Sequence, residues 1–388
     1  MISSQTAANW RIHEYLGIEG LKNIKSDWLR LTQEMDSTGF NHQYETHLAY
    51  YTHLAPAEKS YRFLALTNNS KIRAICPVTV TSNSVFFKET LTFALGNPRT
   101  DSVFLDIICP DDDARPVLIP QVLRYLTELK HGVHWLVFDH VFKGSVLWEC
   151  LLSSTNVPFC IDPCGAVDVI NCDRSFEALT LETTPTHRKK LRRARNRAES
   201  LGALTYRAAA LQPELDQAFD TFLDLEAAGK KGAQGHRGAL RFKPDQLAFY
   251  KEIVTEFGKL GRCEIHTLAL NNQVIAAGIR IQSGVELSSL KICYNEDHAK
   301  LSPGLLLAAN ATERCCAAPN ISRFNLMSNY PHHKVWRPDV IPAYNVVLPL
   351  RPHLGPILVW LLRLRWLYAP KLKALLKARG RKSLAQSD

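Results

Sequence analysis

The residues best suited to chemistry lie in the second half of the chain. Over 212–228 the apolar residues Leu215, Ala218, Phe219, Phe222 and Leu225 recur at helical spacing. Glu226 falls four positions after Phe222 and seven after Phe219, so it continues the apolar stripe, whereas Asp216, Asp220 and Asp224 mostly fall off it. A carboxylate turned toward a core near a helix end loses solvation, which raises its pKa. Such a group can take a proton from an ammonium. The alternative is a frayed helix end with Glu226 in water. Just beyond it, Gly229, Gly232 and Gly235 surround Lys230 and Lys231. This reads either as a cationic loop that closes on an anionic substrate or as a solvated linker. Ser302-Pro303-Gly304 opens another helix: Ser can cap its free N–H groups, Pro fits its first position, and Gly lets a ligand approach. A strand running into such a helix start is a natural pyrophosphate seat, and an ordinary capped helix is the plain reading. The ten cysteines show no zinc spacing: Cys160 and Cys164 stand alone and Cys315-Cys316 are adjacent. No metal is expected.

Charge adds a second set of candidates. The formal net charge is +10, but residues 188–197 alone carry +7 and residues 351–388 carry +8, which leaves the remainder at −5. A basic stripe and a basic tail on a mildly acidic body suit phosphate-bearing ligands, nucleic acid or an anionic membrane. The basic stretch has only a thin apolar seam, Leu191, Ala194, Ala198 and Leu201. No aromatic residue interleaves with its cations, which disfavours single-stranded nucleic acid as a partner. A solvated helix face is the bland reading. In the tail, residues 354–369 form an apolar run broken by Arg363 and Arg365. As a helix it would cover about 24 Å, short of the roughly 30 Å hydrocarbon layer. Trp360, Trp366 and Tyr368, with the cations of 371–382, instead suit an amphipathic helix lying on an anionic membrane surface. The alternative has 354–369 packed on the second domain.

These residues need elements to position them, and the elements come twice. Residues 61–67, 71–80 and 84–95 read as three strands joined by turns at Asn68-Asn69-Ser70 and Ser82-Asn83. Residues 264–270, 273–282 and 285–293 repeat that meander, with turns at Asn271-Asn272 and Ser283-Gly284. Leu-Ala-Leu shortly before Asn-Asn occurs in both. Two helical stretches precede each meander, 21–36 and 43–54 in the first copy and 212–228 and 245–257 in the second. A helix and a further strand follow each, 114–130 then 134–139, and 303–317 then 322–327. The expected fold class is therefore α/β: two tandem domains, each a mixed twisted sheet flanked by helices, over 1–170 and 171–350. A basic helical tail occupies 351–388. A chain of 388 residues with 46% hydrophobic and 22% charged content suits two globular domains and excludes a disordered or fibrous chain. The first seventeen residues lack the apolar core and basic head of a signal peptide. With cysteines read as reduced thiols, a cytoplasmic protein is expected, peripheral on the inner membrane face if the tail anchors it.

The element order resembles the GCN5-related N-acetyltransferase (GNAT) fold, and the tandem pair resembles the FemABX-type aminoacyl transferases. The second half is most similar to CelD/BcsL-type acetyltransferases linked to exopolysaccharide and cellulose synthesis. The similarity rests on RKKLRRARNRAESLGALTY (188–206), LDLEAAGKKGAQG (223–235), LKICYNEDHAKLSPGLLL (290–307) and Lys334-Val335-Trp336. Lys230 stands where that family usually has Trp, Asn295 stands where Asp is usual, and the Gln/Arg-x-x-Gly-x-Gly/Ala acyl-CoA loop is missing. The resemblance implies acyl transfer from acetyl-CoA or another acyl-CoA to an amine or hydroxyl of a small-molecule or lipid-linked envelope precursor. It places the donor thioester near 290–295 and 325–330, with Lys291, Ser302, Gly304 and Leu305 around the donor. Glu226, Tyr294 and Tyr330 would be catalytic, the tyrosines protonating the leaving thiolate or orienting the amine. Lys231, His333, Lys334 and Trp336 would line the acceptor side. Two alternatives stand beside this: an aminoacyl-tRNA-dependent transferase that uses the basic helix, and a non-catalytic accessory protein of polysaccharide synthesis.

Overall fold

Two matching turns set the meanders. Asn69 and Ser70 have φ of 50° and 63°, and Asn271 and Asn272 have 49° and 66°. Positive φ at both central residues gives a hairpin turn whose twist matches its strands, and Asn tolerates that conformation. The computed structural model describes residues 9–55, 61–85, 88–95, 106–128, 133–154, 157, 159–232 and 238–350. The first half runs β1 (Trp10–Leu16), α1 (Gly17–Asn23), α2 (Lys25–Glu34), α3 (Tyr44–Ala49), β2 (Tyr61–Asn68), β3 (Lys71–Val85), β4 (Lys88–Leu95), α4 (Arg115–Glu128) and β5 (Val133–Phe142). A connecting section holds α5 (Val146–Ser153), β6 (Cys160–Asn171), α6 (Phe176–Glu182) and α7 (Pro185–Glu199). The second half runs β7 (Leu204–Ala209), α8 (Glu214–Ala228), α9 (Pro244–Lys259), β8 (Cys263–Leu270), β9 (Gln273–Ser283), β10 (Glu286–Tyr294), α10 (Pro303–Ala317) and β11 (Arg323–Asn325), and β12 (Asp339–Pro349) closes the order.

The twelve strands of the described residues form one mixed sheet, in the order β1-β2-β3-β4-β5-β12-β6-β11-β10-β9-β8-β7. Within each half the neighbours are antiparallel, except the parallel pairs β4 with β5 and β10 with β11. The α/β class and the repeated order are thus as the sequence leads one to expect. Three details differ. The second strand of the first meander runs on past Ser82-Asn83 to Val85, which sits opposite Lys88, so the turn comes later. The last strand of the second repeat shortens to Arg323–Asn325. Four strands lie outside the repeated pattern: β1, β6, β7 and β12. The late strands also cross over. β12, the last strand of the described residues, pairs with β5 of the first half, while β6 pairs with β11 of the second, and β12 and β6 pair with each other. The expected boundary at 170/171 falls at the end of β6, and the sheet continues through it.

Helices cover the sheet and share a core. Leu215, Phe219 and Phe222 of α8 and Phe249, Ile253 and Phe257 of α9 belong to the same buried cluster as Trp28, Phe40 and Tyr50. The Phe40 and Phe257 rings lie 5.8 Å apart. Burying such a side chain stabilises by about 1.5–3 kcal/mol, so the two halves reinforce one another here as well as through the sheet. Among the described residues no helix is long and apolar enough to cross a membrane. The expected tail over 351–388, with its apolar run, lies outside the described residues.

Candidate functional site

The parallel pair of the second half opens the site. β10 and β11 stay in register only over Glu286–Ser288 and Arg323–Asn325. Beyond Ser288, β10 continues to Tyr294 against β9 alone, through a bulge between Ser289 and Lys291. The space left by the parting strands is a cleft of about 980 Å³. Its wall is built from β10, the start of α10, the end of α8, the first turn of α7 and the segment 326–336.

Glu226, Tyr294, Tyr330, Lys291, Ser302, Gly304, Leu305, Lys231, His333 and Trp336 all line this one cleft. Lys334 does not; it is exposed outside it, because the 3-10 turn 331–336 points its side chain to solvent. Tyr294 and Lys291 leave β10 on opposite faces. Tyr294 packs its ring 3.6 Å from where a Cβ on Gly304 would stand, and the Lys291 ammonium lies 5.2 Å from the centre of the Tyr250 ring on α9. Trp336 is largely a packing residue, buried against His187 and Phe176. Tyr330 is exposed and stacks on His332, with ring planes 10° apart.

Glu226 is buried at 2% exposure, as the stripe predicts. It is not a free carboxylate, however. One oxygen accepts from the Lys231 ammonium at 3.2 Å and the other from the Leu240 N–H at 2.8 Å. Both donors tie Lys231 and Leu240 to the end of α8. The loop is tied on its other side too, through the Lys230 N–H to Glu296 at 3.2 Å and the Lys230 ammonium to the same carboxylate at 3.6 Å. Gly232 is required by space, since a Cβ there would lie 1.9 Å from the Ala227 carbonyl. Gly235 lies outside the described residues.

The start of α10 differs from the expected capped helix. Ser302 sits in the left-handed region (φ 54°) and its hydroxyl makes no cap bond. The reason is the preceding 3-10 turn, Glu296–Leu301, which delivers the chain with Ser302 already turned. An N-cap hydroxyl needs extended backbone to reach back. The Leu305 and Leu306 N–H groups return to the Ser302 carbonyl, at 3.0 and 3.2 Å, and Pro303 has no N–H. This helix start therefore offers fewer donors than a glycine-rich loop, in keeping with the absent acyl-CoA loop pattern. Cations supply the remainder: Lys190, Lys230, Lys231 and Lys291 line the cleft. The first of these comes from α7, which begins at Pro185 with Thr184 accepting from the His187 N–H at 3.2 Å. His187, Leu191, Ala194 and Ala198 form its packed seam. Leu201, expected there, is 58% exposed beyond the helix end.

Two residues of the cleft region have no sequence signal of their own. Asp168 on β6 is fully buried and lies 2.9 Å from His333 Nδ1, while its other oxygen accepts from the Asn329 amide at 2.6 Å. The Tyr330 N–H also lies 3.4 Å from Nδ1; in the tautomer that carries its proton on Nδ1, that N–H donates to the Asp168 carboxylate at the shorter distance and Nε2 keeps the lone pair. The flanking valines of Val167-Asp168-Val169 mark a buried strand, which is the only sequence sign of Asp168. Nearby, burial pulls the His332 pKa down, and the adjacent His333 adds to this. Arg280 on β9 is the second, buried at 1% exposure on the floor of the cleft. All ten cysteines are free, and among the described residues no group of three or more His, Cys, Asp or Glu is placed to hold a metal ion.

Known proteins agree with the architecture. Residues 185–335 match the family model for an acetyltransferase (GNAT) domain. The chain is similar in structure to FemX, with TM-score 0.57, 8% identity, and 82% of this chain and 95% of that one covered. It is also similar to the C-terminal domain of a putative lysylphosphatidylglycerol synthetase from Agrobacterium fabrum, with TM-score 0.51, 13% identity and coverage of 84% and 91%. The L-PGS structure from Bacillus licheniformis gives TM-score 0.51, 14% identity and coverage of 87% and 95%. At these identities the likeness is one of fold. No curated protein sequence matches the chain.

Proposed function

We propose that the cleft of the second half carries out acyl transfer, moving an acyl group from a thioester donor to an amine or hydroxyl acceptor. The observation that carries this reading is the parting of β10 from β11 beyond Ser288, directly below the start of α10. A parted strand edge offers backbone N–H groups that can polarise a carbonyl, and holding donor and acceptor together supplies much of the rate. The GNAT match over 185–335 supports the reaction class.

In this reading acyl-CoA brings an activated thioester. Residues 289–294 would hold its acyl arm, and Gly304 with Lys190, Lys230 and Lys231 would face its phosphates. The acceptor amine attacks the thioester carbonyl, the C–S bond breaks, and the thiolate takes a proton from Tyr294. The proton lost by the attacking amine goes to His333, which Asp168 holds in the tautomer with a free Nε2. Glu226, with both oxygens engaged, positions Lys231 and Leu240 beside this chemistry. By the CelD/BcsL resemblance the acceptor is a sugar or envelope precursor, and the basic tail brings the protein to an anionic membrane where such precursors are delivered.

A second reading has one observation in its favour. Helix α7 borders the cleft through Thr186, His187 and Lys190, and a cationic helix beside the site suits the acceptor arm of an aminoacyl-tRNA. Thermal shift and transfer assays with acetyl-CoA, longer acyl-CoAs, free CoA and charged transfer RNA separate the two. Stabilisation and thiol release with an acyl-CoA supports the first. Tight, salt-resistant and charging-dependent RNA binding, lost in Arg192→Glu/Arg195→Glu, supports the second, because non-specific RNA binding collapses as salt rises. Binding without turnover by any donor would leave the non-catalytic accessory role, and no response at all would refute the reading.

A further inference from the structure

Arg280 is a buried cation without an anion. Its side chain is among the largest fully buried ones in the protein, at 1% exposure. Among the described residues no carboxylate pairs with it. Its Nη1 donates to two carbonyls at long range, Ile279 at 3.2 Å and Lys291 at 3.3 Å, and its Nε has no partner. The acid directly across the sheet is Glu264 on β8, but that carboxylate is already taken. Arg314 on α10 donates to both its oxygens, at 2.6 and 3.0 Å, and His266 donates to it at 2.8 Å. Instead of reaching Glu264, the Arg280 side chain folds along β9 over Gly278, where a Cβ would come 2.9 Å from two guanidinium nitrogens. That fold carries the guanidinium toward Ile279 and Lys291, where β10 has already left β11. The Phe324 ring lies on its other side, 5.6 Å from the guanidinium carbon, and Arg280 lines the cleft. Burial pulls its pKa down to about 10, so it remains charged at neutral pH.

An ionised side chain taken out of water without a partner is costly, and replacing it by an apolar residue is often neutral or stabilising. A fork of N–H donors on a dry floor, next to an aromatic ring and open to a cleft, matches a planar or tetrahedral oxyanion. We propose that the substrate handled in this cleft carries a carboxylate or a phosphate, and that this group docks on the Arg280 guanidinium at the floor between β10 and β11. Arg280 is thus a specificity residue, selecting an acidic substrate over its neutral analogue. The proposal rests on reading the cleft as a substrate site, but not on the identity of the donor or on turnover.

The test measures binding by the full chain, with succinate and with inorganic phosphate, at ionic strength held constant by chloride. Calorimetric titration and the unfolding midpoint are read for wild type, Arg280→Met, Arg280→Lys and the surface variant Arg124→Glu, at an exposed cation on α4 of the first half. Wild type is expected to bind one of the two anions saturably, succinate if the group is a carboxylate and phosphate if it is a phosphate. Arg280→Met should weaken that binding at least tenfold while unfolding no earlier than wild type in anion-free buffer. Arg280→Lys, which keeps the charge but loses the fork, should bind with intermediate affinity, and it keeps the test decisive if the Met variant does not fold. The surface variant should bind as wild type does. Failure of wild type to bind either anion, or binding that survives in both Arg280 variants or is lost in the surface variant, would overturn the proposal. Absence of transferase activity would count against the proposed reaction and leave this binding result standing.

Discussion

Asp168 and His333 meet across 165 positions of sequence at 2.9 Å, whereas Glu226 meets a lysine and a backbone N–H. In the proposed reaction this difference in partners gives the proton transfer to His333 and leaves Glu226 to hold Lys231 and Leu240 in place. His333→Ala should lower turnover on the order of 10²–10⁴-fold with donor affinity retained. Asp168→Asn should cost less than His333→Ala and shift the pH profile, because an amide can present the wrong partner to Nδ1. Glu226→Gln should mainly raise the acceptor KM by loosening the loop, through Lys231 and Leu240. Steady-state kinetics across pH 6–9 measure all three. Full activity of His333→Ala would remove the imidazole from the mechanism and return the base role to Glu226.

At the scale of elements, the start of α10 is the sensitive point. A side chain at Gly304 meets only the edge of Tyr294, 3.6 Å from its Cβ, so Gly304→Glu should fold normally. It would nonetheless place bulk and negative charge at the helix start facing the cleft. Acyl-CoA affinity in calorimetric titration is expected to fall at least tenfold, with the unfolding midpoint nearly unchanged. Unaltered affinity would move the donor's phosphates away from α10 and toward the lysines of α7 and the 229–232 loop. Helix α7 itself shows how a run of seven cations is tolerated: His187 with the three apolar positions Leu191, Ala194 and Ala198 forms the seam, and the arginines find backbone carbonyls, as Arg188 does at Leu181 and Thr183 and Arg197 at Lys300.

For the molecule as a whole, the exchanged strands make the halves interdependent. β12 fills the gap between β5 and β6, so a chain stopped after residue 337 should lose amide protection in β5 as well as in β6. The comparison is a chain stopped after 350, followed by hydrogen exchange. Wild-type protection of β5 in the shorter chain would show the first half to be self-sufficient. Acid should also weaken the whole fold. Burial pulls His47 down to about 3, and burial pulls His266 down to about 4 despite its Glu264 partner. Below pH of about 6.5 the unfolded chain takes up these protons first, so stability present above that pH is lost as pH falls toward 4 and then 3. Each imidazole contributes a slope of about 1.4 kcal/mol per pH unit in its window. Urea midpoints from pH 8 to 5 should therefore decline below 6.5 in wild type and decline less in His266→Gln. A flat profile would mean that the two imidazoles titrate alike in folded and unfolded chains.

The repeat of helices and strands and the paired Asn turns were legible in sequence, because each depends on local physics: apolar periodicity, turn chemistry, and the order of short-range elements. The gathering of Glu226, Tyr294 and Gly304 in one site was expected from the family resemblance and not from spacing. Strand β6 was not legible, because its exposed-to-buried alternation begins in a Pro- and Gly-containing stretch, Asp162 to Gly165, that reads as a loop. With it went Asp168, and so the partner that turns His333 from a wall residue into a candidate base. Glu226 was read correctly as buried, but burial on a helix stripe does not reveal which donors come from the Lys231 and Leu240 backbone and side chains after the helix has ended. Arg280 was hidden for the same reason. An arginine in an apolar strand calls for a partner, and only the folded sheet reveals that Glu264 across from it is already held by Arg314 and His266. Chain-local forces decided which elements form. Which charges are paired, and which are left facing a cleft, was decided by contacts between strands far apart in sequence, because pairing inside a low-dielectric core depends on tertiary distances that no spacing along the chain encodes.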